Sequence, residues 1–120
     1  MTVACPVPGR VGVGPQLSGR MKILLAPGSL AFRVWGLEQI EEEFSCSYEL
    51  NPAFEAVLES RGLRVAGRGE RNEARIVELS SHRFFIATLF QLQLASAPGA
   101  PHPLIVAYLE AALAFRRERI

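Results

Sequence analysis

Three observations predict an α/β domain, a mixed sheet with flanking helices. Leu63–Ala66 and Ala74–Leu79 flank a polar loop, Gly67–Glu73, and read as a hairpin. Phe84–Phe90 is apolar without alternation, the mark of a strand covered on both faces. Beside these strands stand two helical patterns, one opening at Asn51-Pro52 and one running through Leu104–Phe115.

Residues 1–17 form an irregular Gly/Pro-rich segment, and residues 18–120 the domain itself. Gly9, Gly12 and Gly14 do not make a phosphate loop: no strand precedes them, Pro15 follows at once, and neither GxGxxG nor Walker spacing is met. Met21–Ala26 reads as a strand closed by the turn Pro27-Gly28, and Ser29 caps a helical turn over Leu30–Val34. Glu38–Phe44 carries four acids and reads as a solvated edge strand or loop. Asn51 accepts from the first turn of its helix, Pro52 suits the first helical position, and Phe54, Val57 and Leu58 share a face until Gly62 stops it. The sheet is expected to hold Phe84–Phe90 centrally with the hairpin beside it. The last helix should pack on one face through Ile105, Tyr108, Leu109, Ala112 and Leu113, its arginines Arg116, Arg117 and Arg119 suiting the negative helix end.

A chain of 120 residues fits one domain. Its hydrophobic content of 49% is high for that size and implies apolar surface meant for a partner, a second copy or a missing part of the same domain. A net charge of +1 implies no bulk attraction to nucleic acid or membrane. All twelve acids are Glu, which removes Asp from metal cages and catalytic triads. Cys5 and Cys46 show no disulfide framework and suit a reducing cytoplasm; with His82 and His102 they lack any zinc spacing, so no metal or cofactor is implied. His82 and His102 read as turn and cap residues. No signal peptide or bilayer-length apolar run is visible.

Four segments, in order and at matching spacing, resemble the second half of the class I glutamine amidotransferase domain of CTP synthase, from about Leu17 to Phe115. They are Ser18-Gly19-Arg20-Met21-Lys22-Ile23, Tyr48-Glu49-Leu50-Asn51-Pro52, Gly62-Leu63, and the strand into Phe90 followed by the last helix. Within that group the chain is most similar to the CTP synthase C-terminal-region-related proteins, some of them selenoproteins. The resemblance implies the distal half of a flavodoxin-like fold, with the family's first half, its parallel strands and its crossover helices absent from this chain. One face or edge of the sheet is then expected to need a cover, from a homo-oligomer or from a polypeptide supplying the missing half.

The departures fall on chemistry. The family's Phe-His-Pro-Glu becomes Phe90-Gln91-Leu92-Gln93, and its Arg-His-Arg becomes Ser45-Cys46-Ser47. An amide at Gln91 cannot take a thiol proton, and Gln93 cannot orient an imidazole through a carboxylate. Serine cannot grip a carboxylate as a guanidinium does. Neither cysteine has the flanking glycines of a Gly-x-Cys-x-Gly nucleophile elbow. The candidate pocket implied by the resemblance is Ser45, Cys46, Ser47, Tyr48, Glu49, Gln91 and Gln93, with Cys46 ahead of Cys5 as the candidate reactive thiol. Three functions are compatible with this set. The first is a catalytically degenerate amidotransferase-like module that binds or supports a partner, or a fragment of a longer protein. The second is a divergent cysteine- or selenocysteine-dependent enzyme of the same fold, and the third a glutamine-hydrolysing CTP synthase homologue.

Overall fold

The structure, a computed structural model, describes residues 4–6, 18–45 and 48–119. A five-stranded antiparallel sheet runs in the order β3-β2-β5-β6-β7: β2 is Ser18–Leu25, β3 Gln39–Ser45, β5 Leu63–Arg68, β6 Ala74–Leu79 and β7 Ile86–Thr88. A separate pair joins β1, Ala4–Pro6, to β4, Tyr48–Leu50. The hairpin predicted from Leu63–Leu79 is present in register, Val65 facing Val77, with an irregularity at Gly67. Gly67 is required there: a Cβ would sit 2.9 Å from Ile76 Cδ1 and 3.0 Å from Ile23 Cγ2, inside the core.

Helix α1, Leu30–Trp35, is capped by Ser29, whose hydroxyl accepts from the Phe32 N–H at 3.0 Å, as its sequence predicts. A 3-10 turn, Pro52–Phe54, leads into α2, Glu55–Ser60; Asn51 accepts from the Ala53 N–H at 3.0 Å, and Gly62, at φ 94°, turns the chain into β5. The long helix α3, Pro103–Glu118, starts on His102. Side chains alternate across β6, so α1 lies on the face carrying Ile76 and Glu78 and α2 on the face carrying Val77. The core is Ile23, Leu25, Ala31, Ile40, Ala66, Ile76 and Phe90, with Trp35 and Phe32 against it. Among the described residues no helix is long and apolar enough to cross a membrane.

Five expectations change. Only Ile86–Thr88 of the Phe84–Phe90 run is strand, and it is an edge, paired to β6 alone. The apolar residues of that run scatter: Phe84 meets Tyr108 edge-on at 5.9 Å, Phe85 is exposed, and Phe90 enters the core beside Trp35. An unalternating run does not reveal that its members go to three places. Secondly, the α3 stripe faces outward: Tyr108, Leu109 and Leu113 are 59%, 55% and 48% exposed. The helix docks on α1 through the neighbouring face, where Leu104 is buried and Ala107 and Ala111 are half-buried. Thirdly, Val57 is exposed, so α2 is held by Phe54 and Leu58. Fourthly, β3 is an edge strand as predicted but is not wholly solvated, because Glu42 is buried against His102. Finally, Cys5 lies in β1 rather than in a loop.

Candidate functional site

Two of the residues marked by the sequence meet directly. Gln91 follows the core residue Phe90 at the start of a 3-10 turn, Leu92–Ala95. Its side-chain oxygen accepts from the Ser45 N–H at 2.5 Å, while its own N–H donates to the Glu43 carbonyl at 3.3 Å. The end of β3 is therefore stitched to the turn by both the main chain and the side chain of Gln91. Gln93 points out of the turn and is exposed. Cys46 and Ser47 lie outside the described residues.

Tyr48 and Glu49 belong to another environment. β4 pairs with β1, which sets Cys5 opposite Glu49 in the register. The Glu49 carboxylate is buried and accepts from Arg71 through both guanidinium nitrogens, at 3.1 and 2.8 Å, and from Arg75 at 3.2 Å. Glu73 completes the cluster, 3.0 Å from Arg71 and 3.2 Å from Arg75. Two carboxylates and two guanidinium groups leave no net charge, and the fork-to-carboxylate geometry satisfies Glu49 without water. Hydrogen bonding to Glu49 holds the Arg71 guanidinium above its usual value despite the opposing effect of burial, and the charges of Glu49 and Glu73 add to it. The cluster fastens the β1–β4 pair to β6 and to the hairpin turn. Beside it lies an apolar cavity of about 240 Å³ bounded by Tyr48, Leu50, Leu58, Val77, Ala87 and Leu89. Ser45 and Gln91 do not line it, so the candidate pocket residues fall into two groups.

Three acids are buried, which sequence reasoning did not read. Glu49, placed in the candidate pocket by resemblance, is the first. Glu78 accepts from the Leu30 and Ala31 N–H groups at 3.0 and 3.1 Å, placing a carboxylate at the start of α1. Glu42 lies 2.5 Å from His102 Nε2, while His102 Nδ1 accepts from the Leu104 N–H at 3.0 Å. An accepting Nδ1 leaves the ring proton on Nε2, directed at Glu42. Both ring nitrogens are committed, so this histidine has no proton site left for a substrate. The one signal for these acids was period-two alternation: Ile40 and Glu42 share the buried side of β3, and Ile76 and Glu78 that of β6. His82 lies in the β6–β7 connection, edge-on to Phe85 at 6.1 Å. Among the described residues no group of three His, Cys, Asp or Glu could hold a metal ion.

The fold has a solved counterpart. The glutaminase domain of Trypanosoma brucei CTPS, solved with bound acivicin, superposes with a TM-score of 0.78 at 24% identity over 86% of this chain and 41% of that one. The chain thus has the fold of part of that glutaminase domain, the match taking less than half of it. Sequence narrows the relationship to CTP synthase. The enzyme of Archaeoglobus fulgidus is 36% identical over 108 residues, 88% of this chain, and that of Methanothrix thermoacetophila 42% identical over 96 residues, 79% of this chain. The matched stretches are only 20% and 17% of those enzymes, so the chain spans about a fifth of the length of its relatives. No family model matches it.

Proposed function

We propose that the chain is a catalytically degenerate glutamine amidotransferase-like domain that works as a binding or supporting module for another polypeptide. The observation that carries this reading is the bond from Ser45 N–H to Gln91 Oε1. By resemblance, Gln91 takes the place of the general base and Ser45 opens the segment that replaces the substrate-gripping Arg-His-Arg. The Gln91 side-chain oxygen is thus held by the main chain at the start of that segment. An amide has no proton equilibrium near neutral pH, so it does not activate a thiol. The arginines beside Glu49, Arg71 and Arg75, are already paired with Glu49 and Glu73. A cytoplasmic setting accords with two cysteines that form no framework.

Ammonia release from glutamine tests the reading. The purified chain is expected to release none above buffer. A rate above buffer that disappears in Cys46→Ala would overturn it.

A further inference from the structure

The two edges of the sheet are treated differently. Along β3, the Gln91 N–H donates to the Glu43 carbonyl, the Gln91 side chain accepts from the Ser45 N–H, and Glu41 and Glu43 add charge. A charged, partly covered edge resists the addition of another strand. β7 has neither protection: from Phe84 to Gln93 no residue is charged, and among the described residues no strand pairs with its outer side. The Leu79 N–H donates to the Phe85 carbonyl at 3.2 Å, and the Leu89 N–H to the Arg75 carbonyl at 2.9 Å. In an antiparallel ladder such bonds turn the main chain of Phe85, Ala87 and Leu89 toward β6, and that of Ile86 and Thr88 outward.

The side chains follow the same alternation. Phe84 meets Tyr108 of α3 and Ile86 packs against the core, so Phe85 shares the other face with Ala87 and Leu89. On that face Phe85 is 43% exposed, Ala87 is exposed, and Ala87 and Leu89 wall the apolar cavity of about 240 Å³. An uncovered ring and the wall of an apolar cavity thus stand at opposite ends of one short edge, with Ala87 midway. We propose that β7 is the self-association edge of this chain, pairing antiparallel with β7 of a second copy about a two-fold axis at Ala87. Ile86 then lies opposite Thr88 of the second copy, and their outward N–H and carbonyl groups exchange hydrogen bonds on both sides of the axis. Phe85 lies opposite Leu89 of the second copy, which brings each ring to the wall of the other copy's cavity. Ala87 meets its own counterpart, where a methyl group leaves room for close approach. The occupant is a second copy because the edge complements itself at each of these positions. A strand of three residues and one ring on each side make a small interface, so the association is concentration-dependent. The proposal is independent of the loss of glutaminase activity, and ammonia release would not bear on it.

Sedimentation velocity of the full chain over a concentration series is expected to show a monomer–dimer equilibrium. Ala87→Lys, which sets two like charges against each other at the axis, should weaken the dimer more than about tenfold. Phe85→Ala should weaken it less, and Leu109→Glu combined with Leu113→Glu on α3 should leave it unchanged. Circular dichroism of each variant checks that the fold survives, as expected for exposed positions. Ala87→Cys, in a chain that also carries Cys5→Ser and Cys46→Ser, gives a second reading. Mild oxidation should cross-link it, because residues that face each other across such a pair lie within disulfide reach. Val57→Cys, exposed on α2, should cross-link far more slowly in the same background. A monomer at every concentration overturns the proposal, as does a dimer indifferent to Ala87→Lys or one broken by the double substitution on α3. Cross-linking of Ala87→Cys no faster than that of Val57→Cys overturns it as well.

Discussion

Helices α1 and α3 begin alike and end in opposite situations. Each opens on a side chain that accepts from its own first turn, Ser29 from Phe32 and His102 from Leu104. Behind each opening stands a buried carboxylate from the sheet: Glu78 bonds the α1 amides directly, and Glu42 acts through the far nitrogen of His102. Beyond the first turn they diverge. α1 stops after six residues and keeps Ala31 in the core, whereas α3 continues for sixteen and turns its apolar stripe outward. At 1.5 Å per residue, α3 is about 24 Å long against about 9 Å for α1, so it outruns the surface that supports it. The sheet fixes where helices start; what lies alongside decides which face is covered.

The largest expected effect comes from breaking the α1 anchor. Glu78→Ala removes two hydrogen bonds to a charged acceptor from a buried helix start, and an expected loss of about 4 kcal/mol in urea unfolding follows at about 2 kcal/mol per bond. Glu78→Gln, which keeps one acceptor oxygen, should lose about half of that. If Glu78→Ala costs less than about 1 kcal/mol, the carboxylate is incidental and α1 is held by packing alone.

The two caps sharpen the comparison. Ser29→Ala should cost about 1 kcal/mol, the usual worth of a serine cap. His102→Ala should cost more, about 2.5 kcal/mol, because it removes a cap and also leaves Glu42 buried without its partner. His102→Asn supplies a good cap without reaching Glu42, and should recover about 1 kcal/mol of that loss. Equal losses for Ser29→Ala and His102→Ala in the same unfolding series would mean that Glu42 contributes nothing through the ring.

These outcomes bear on what the sequence made legible. Local chemistry was: the Ser29 and Asn51 caps, the Gly62 stop and the hairpin around Gly67–Glu73 all depend on residues within a few positions of one another. Covering was not. The α3 stripe has helical period and apolar composition, yet these give the direction of a face and not its neighbour. The candidate site was legible by resemblance at Gln91 and Ser45, which the fold brings into contact. Glu49 was named by the same resemblance, but its partners Arg71 and Arg75 were not legible, because they come from the hairpin more than twenty residues away. Buried ion pairs between distant segments leave no spacing to read.

The smallest effect concerns the free end of α3. Arg83, in the β6–β7 connection, donates to Glu118 through both guanidinium nitrogens, one of them at 3.0 Å, and so ties the last turn of the helix back to the body. Those bonds hold the Glu118 carboxyl below its ordinary value of 4.5, and Arg83 above its own. A carboxyl whose value is depressed in the folded state contributes fully above the ordinary value and loses that contribution as pH falls through the depressed one. Arg83 stays charged throughout that range, so the change belongs to Glu118. Both side chains are exposed and screened by salt, so global stability should hardly move. Local order should move: amide protection at Ala114–Arg117, taken relative to the intrinsic exchange rate at each pH, is expected to fall in acid below the ordinary carboxylate range, and high salt should mimic part of the acid effect. Arg83→Ala should show the fast exchange already at neutral pH and no further acid step. An acid step of the same size in Arg83→Ala would detach it from this pair and leave the last turn held only by the stacking on Phe115.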